Sequence, residues 1–186
     1  MTMKIQPEFS RPVPVEEIGK GMKRRIEATA EELRALEGRM KLPAIRALSA
    51  ELSLSPAGKG GYRVSGEMRA TVDQECVRTL EVFTSELAAP VDRLFVPADS
   101  RLARALEQGP VMELAEEADE APDIIEDDTI DLGELVAETL ALSLDPWPRK
   151  PGTDFVDYST EEGGKAPARE PEKPNPFAVL SRLRKD

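Results

Sequence analysis

Two runs of alternating apolar and polar residues meet at a turn-rich junction, and no other feature constrains the fold of this chain as tightly. Leu48, Ala50, Leu52 and Leu54 alternate with Ala47, Ser49, Glu51 and Ser53, and "SPAGKGG" follows. After that stretch Tyr62, Val64, Met68, Ala70 and Val72 share one phase, while Arg63, Ser65, Glu67, Arg69, Thr71 and Asp73 share the other. A two-residue period places the two sets on opposite faces of a strand, and a cluster of turn formers between two such runs predicts a β-hairpin. A third alternating run, "SELAAPVDRLFV", carries Leu87, Ala89, Val91 and Phe95 in phase. Pro90 removes a ladder donor from it and points to an edge position. The three runs read as an antiparallel meander.

Two weaker strands precede the meander. "FSRPVPV" puts Phe9, Arg11, Val13 and Val15 on one phase, and Pro12 and Pro14 suit an edge. "GMKRRIEA" alternates Met22, Arg24, Ile26 and Ala28 against Lys23, Arg25 and Glu27. Between this strand and the hairpin, "TAEE" is a capping box in which Thr29 and Glu32 satisfy each other's backbone amides. It opens a short helix with Leu33 and Leu36 on one face and an expected stop at Gly38. A later helix is predicted in "IDLGELVAETLALSL", with Asp131 as N-cap, Glu134 completing a second box, and Leu132, Leu135, Val136, Leu140 and Leu144 at helical spacing. It must end at "DPWPRKPG", where three prolines forbid continuation.

The region before that helix has a different character. From Val111 to Asp145 there is no lysine or arginine, and Glu113, Glu116, Glu117, Asp119, Glu120, Asp123, Glu126, Asp127, Asp128, Asp131 and Glu134 fall there. Residues 111–130 read as an acidic loop. They lack the alternating spacing and central glycine of a calcium loop, so a solvated linker is the expectation. Beyond Gly152 the chain is rich in proline, glycine and charge, and residues 153–174 read as a disordered linker. The closing segment 175–186 is amphipathic: Asn175 can cap, Pro176 suits the first helical position, and Phe177, Val179, Leu180 and Leu183 are apolar. It can dock on its own body or on a partner.

The chain as a whole is an α+β protein by this reading. Residues 1–152 form one domain, with an antiparallel sheet of about five strands, one early and one late helix, and a disordered C-terminal tail after it. A partly closed barrel is as allowable as an open sheet, and strand order and oligomeric state are not derivable. No apolar run approaches the roughly 18 residues of a membrane span, and the N-terminus lacks the pattern of a secretory signal. A cytoplasmic, non-membrane protein is expected.

Chemistry is hard to place on these residues. The 186-residue chain has one cysteine, Cys76, and no histidine. A catalytic thiol needs a base, and a zinc site needs about four ligands. Cys76 falls on the even-numbered phase of Val64, Met68 and Val72, so packing as a small apolar side chain is the expectation. No glycine-rich phosphate loop occurs, since "GKGGY" lacks the Gly-Lys-Ser/Thr ending and a following helix. No enzyme activity, cofactor or metal is expected.

The order "VDQECVRTLEVF", acidic stretch, "DTIDLGELVAETLALSLDPWPRKPG" resembles the bacterial YceD family, the large ribosomal RNA subunit accumulation proteins. The resemblance covers roughly Phe9 to Gly152, and the tail "NPFAVLSRL" is similar to that of alphaproteobacterial members. Its most specific residues are Asp131, Leu132, Gly133, Glu134 and Leu135, with Pro146 and Pro148 after them. Many members carry Cys-x-x-Cys where this chain has "CVRT", and a second cysteine pair near "PWPRKPG". Thr79 stands in place of the second cysteine here, which leaves Cys76 as the remnant of a pair, with no metal or redox role expected.

The resemblance implies a non-enzymatic role in 23S rRNA accumulation and large-subunit biogenesis. Charge adds a constraint of its own. With 36 acidic against 25 basic residues and a formal charge of −11, the chain suits a basic ribosomal protein or assembly factor better than naked rRNA. Glu113, Glu116, Glu117, Asp119, Glu120, Asp127 and Asp128 are the candidate partner-binding carboxylates. Direct RNA binding is the rival, for which Lys23, Arg24 and Arg25 are the consecutive candidates. A protein-interaction module unrelated to ribosomes is the third.

Overall fold

Pro12 and Pro14 deny the N-terminal segment two backbone donors, and in the computed structural model of the protein the segment forms only a three-residue strand, β1 (Pro12–Pro14). The structure describes residues 7–100, 103, 122–125 and 127–153. The phase expected to run on to Val15 breaks there, because β1 passes directly into a one-turn helix, α1 (Val15–Ile18). Then follow β2 (Met22–Glu27), α2 (Ala30–Met40), β3 (Ala44–Ala57), a 3-10 turn at Gly58–Gly60, β4 (Gly61–Glu75) and β5 (Val82–Pro97). The order closes with β6 (Asp123–Ile125), β7 (Thr129–Asp131) and α3 (Leu132–Ser143).

Five strands form one sheet in the order β2-β3-β4-β5-β6, and β1 pairs with β7 in a separate ribbon. The class is α+β as expected, and the sheet is open: among the described residues its end strands β2 and β6 share no ladder. One pairing departs from the antiparallel expectation. β6 lies parallel to β5 over Phe95–Pro97, after a connection long enough to return the chain in the same direction. β6 and β7 also occupy part of the stretch expected to be an acidic loop.

Register explains the core. Leu48 faces Ala70, Ala50 faces Met68 and Leu54 faces Val64, which gathers the even-numbered residues of β3 and β4 on one side. Leu54, Val64, Met68 and Val72 are fully buried there with Leu36 of α2 and Leu132, Val136 and Leu140 of α3. Pro90 sits where the other side of β5 has no described strand beside it, since β6 covers only Phe95–Pro97.

Alternation alone missed a bulge. The register shifts between Ile45 and Ala47, so Ile45 is buried despite its odd number and Arg46 turns toward Asp73. Arg46 donates to both Asp73 carboxylate oxygens, at 2.8 and 2.7 Å, and Thr84 Oγ1 donates at 2.7 Å. Asp73 was expected on the solvent face; it is buried, and these three donors satisfy it.

The capping box at α2 is complete, with Glu32 N donating to Thr29 Oγ1 and Thr29 N donating to Glu32 Oε2. The helix does not stop at Gly38, however. It continues to Met40, and Lys41 takes the left-handed conformation with its amide donating to Glu37 O. A glycine inside a helix costs about 1 kcal/mol of propensity, a penalty that packing of the preceding turn at buried Leu36 offsets.

Candidate interaction site at the Cys76 end of the sheet

β4 ends at Glu75, and Cys76 opens the turn to β5. Its amide donates to Glu81 O at 2.9 Å and its carbonyl accepts from Leu80 N at 2.8 Å, closing the turn. The thiol is buried as expected, yet by the turn and the segment laid over it, since the strand has already ended. That segment is Asp145 to Thr153. Val77 N donates to Pro148 O at 2.9 Å, Lys150 Nζ pairs with Glu81 Oε2 at 2.9 Å, and the Arg78 guanidinium donates to Thr153 O. The Cys76 turn and the proline segment are therefore neighbours, held together by hydrogen bonds.

Cys76 Sγ collects several donors at this junction. The backbone amide of Lys150 acts most strongly, followed by the Thr79 hydroxyl and the amides of Thr79 and Arg78, and together they lower the thiol pKa to about 6 against the opposing effect of burial. Thr153 Oγ1 lies 4.0 Å from the sulfur. Among the described residues no group of three or more histidine, cysteine, aspartate or glutamate side chains is placed to hold a metal ion.

Beside the junction is an open cleft of about 600 Å³. Met40 at the end of α2, Leu42 and Pro43 after it, and Leu144, Pro146 and Pro148 line it. Glu75, Asp145 and Lys41 are its charged lining residues. Trp147 stands between two of the lining prolines and is 70% exposed, and Leu80 is exposed to the same degree. Val77 and Val82, in and just beyond the same turn, are also exposed. Sequence reading singled out Pro146 and Pro148 and missed Trp147, whose signal was an only tryptophan bracketed by prolines.

The motif residues around Asp131 serve the fold. Asp131 Oδ1 accepts from Gly133 N and Glu134 N as an N-cap, and from Arg11 N at 2.7 Å; Oδ2 accepts from Ser10 Oγ at 2.5 Å. Gly133 permits the close crossing of the N-terminal segment, for a Cβ there would lie 2.5 Å from Phe9 O. Glu134 does not complete a capping box; its carboxylate takes two hydrogen bonds from Arg39, at 3.1 and 2.8 Å. Leu132 and Leu135 are buried.

The basic triplet is divided by the pleat of β2. Lys23 and Arg25 project from one face and Arg24 from the other. Arg24 lies 3.6 Å from Glu17, and Arg25 lies 2.7 Å from Glu27 and 3.7 Å from Glu51. Of the acidic candidates, Asp127 and Asp128 are exposed at the turn between β6 and β7, both with positive φ. Glu113, Glu116, Glu117, Asp119 and Glu120 lie outside the described residues, as do residues 154–174 of the expected linker and the amphipathic segment 175–186.

Among the described residues no helix is long and apolar enough to cross a membrane. No curated protein and no solved structure matches the chain. A sequence model of the family described as large ribosomal RNA subunit accumulation protein YceD does match, over residues 64–184, a span that begins in β4 and leaves the first three strands outside. That span takes in the Cys76 turn, the Asp131 motif and the proline segment, covers well over half of the chain, and establishes that this protein belongs to the YceD family.

Proposed function

We propose that this protein is a non-enzymatic binding factor that supports accumulation of large-subunit ribosomal RNA in the cytoplasm, acting through a basic ribosomal protein or assembly factor. Family membership supports the process, since the family's description names it. The observation that carries the choice of partner is charge. The chain holds a net −11, and the arginines that could have formed an RNA-binding face stand beside carboxylates: Arg24 by Glu17, Arg25 by Glu27 and Glu51, Arg63 by Asp92, Arg69 by Glu67. A phosphate backbone approaching them meets a mixed field inside an acidic one. The absence of catalysis in this reading rests on the lack of any histidine and on an enclosed thiol: a nucleophile must reach its substrate, and the Cys76 side chain has no exposed surface.

Attraction between an acidic chain and a basic protein is screened by salt. Capture of ribosomal proteins by the purified protein at low salt, repeated at high salt, tests the reading. Binding that weakens steeply with salt supports it; equal capture at both salt concentrations, or enrichment of protein-free rRNA in preference to protein, contradicts it.

A further inference from the structure

We infer that the cleft beside the Cys76 turn is a docking site for an uncharged, extended peptide segment of a partner protein, rich in aliphatic residues and proline, whose backbone amide pairs with the Gln74 carboxamide. No contribution from the chain's net charge is needed. Gln74 is one of the lining residues and only 6% exposed. The unbroken register of β4 with β5, Val72 opposite Ser85 and Gln74 opposite Phe83, puts its side chain on the same face of β4 as buried Val72. Met40, Leu42 and Leu144, which also line the cleft, pack against the same core. Among the described residues nothing hydrogen-bonds the Gln74 carboxamide, and no fully enclosed polar atom is left unpaired, so its polar atoms open into the cleft. An amide at the end of an apolar row, where a leucine would simply extend the core, is costly until a ligand completes its donors and acceptor.

The lining is held in place before any partner arrives. Glu37 O accepts from the amides of Lys41 and Leu42, the latter at 3.1 Å, and Glu37 Oε1 accepts from Ile45 N at 2.8 Å. Pro146 and Pro148 restrict their own segment, Asp145 Oδ1 accepts from Trp147 N at 2.8 Å, and Pro148 O accepts from Val77 N at 2.9 Å. Little ordering therefore remains to be done on binding. A carboxamide offers donor and acceptor side by side, the complement of the C=O and N–H that an extended peptide presents. Lys41 opposes Glu75 and Asp145 in charge, and the rest of the described lining is apolar, so it receives aliphatic or proline side chains. That lining holds no aromatic ring to stack a base and no arginine to grip a phosphate, which disfavours nucleic acid. Because the cleft is open, a small molecule would stay largely wet where a chain can run through.

The full-length protein is titrated with four dye-labelled probes read by anisotropy: an end-capped peptide of leucine, alanine and proline, the same peptide N-methylated at its non-proline bonds, a lysine peptide of equal length, and single-stranded RNA. The unmethylated peptide is expected to bind, and to weaken about tenfold on methylation and about tenfold in Gln74→Leu, with no further loss when the two changes are combined. Gln74→Leu removes an unpaired amide from an apolar site, so its urea midpoint is expected to match or exceed that of wild type. A lower midpoint would show that the amide is already satisfied and would overturn the inference. Pro43→Arg, at an exposed lining position, is expected to weaken binding without touching the amide. No binding of the unmethylated peptide, unchanged binding by Gln74→Leu, or losses that simply add overturns the docking site. Tighter binding of the lysine peptide or of RNA that depends on Gln74 overturns it in favour of a charged ligand. Salt-dependent capture of basic ribosomal proteins is a separate measurement, so the reading of the chain as a binder of basic protein stands or falls on its own.

Discussion

Asp131 Oδ1 accepts the backbone amide of Arg11 at 2.7 Å, so the carboxylate that caps α3 also holds the N-terminal segment across the helix. Leu132 N donates back to Arg11 O at 3.1 Å, and Val13 of β1 pairs with Ile130 of β7. The start of the chain is thereby fastened to a segment about 120 residues away, as the separation of Arg11 and Asp131 records. Asp131→Ala removes a cap and two further hydrogen bonds together. A loss of about 2 to 3 kcal/mol is expected by urea denaturation, against about 1 kcal/mol for an ordinary N-cap.

Gly133→Ala tests the same crossing by sterics. In an open helix the change would gain up to about 1 kcal/mol from propensity. Here the added methyl meets Phe9 O at 2.5 Å and Arg11 N at 2.9 Å, both backbone atoms. Net destabilisation of about 2 kcal/mol is expected from the forced backbone shift. A stabilised variant in the same urea experiment would show that the N-terminal segment does not lie over α3.

Sequence periodicity resolved the hairpin, its turn and the helix of the Asp131 motif because each has a local signal several residues long. It did not resolve the bulge at Arg46, because two-residue alternation has no term for an extra residue; Asp73 was read as solvent-facing for the same reason. Gly38 was read as a helix end on local propensity, which tertiary packing overrode. The cleft is the least legible feature: Met40, Leu42 and Pro43 lie far along the chain from Leu144, Pro146 and Pro148, and only folding brings the two groups to one surface. Cys76 was correctly read as buried, but its donors come from Lys150 as well as its own turn.

The Arg11–Glu32 pair predicts a specific acid sensitivity. Two hydrogen bonds from Arg11, at 2.6 and 2.9 Å, are the main reason that the Glu32 pKa falls from 4.5 to about 2, with the Thr29 amide adding to the effect. A carboxyl depressed in the folded state stabilises fully above its unfolded pKa and loses that contribution as pH falls through the folded value. Folding stability is therefore expected to drop between pH 4.5 and about 2. Glu32→Gln should flatten that slope by about 1 to 2 kcal/mol, the full linkage being reduced by solvent screening.

The thiol makes a second pH prediction with the same sign. Its folded pKa of about 6 lies below the roughly 8.5 of a free cysteine in an unfolded chain. The stability it contributes is thus complete above the unfolded value and disappears as pH falls through about 6. Thiolate ultraviolet absorbance is expected to rise near pH 6 in the folded protein and near the ordinary thiol value in denaturant. Cys76→Ser should abolish the signal and the corresponding segment of the stability curve. Alkylation of the native protein is expected to stay slow despite the ionised sulfur, because the side chain is enclosed.

The proposed role has this YceD-family protein supporting large-subunit ribosomal RNA through binding, without chemistry at its thiol. The most direct measurement is the ratio of large-subunit to small-subunit rRNA in cells depleted of the protein, with wild-type and Cys76→Ser proteins supplied back in parallel. A fall in that ratio on depletion and equal recovery with both proteins are expected. An unchanged ratio would contradict the assigned process, and recovery with wild type alone would contradict the claim that the thiol performs no chemistry.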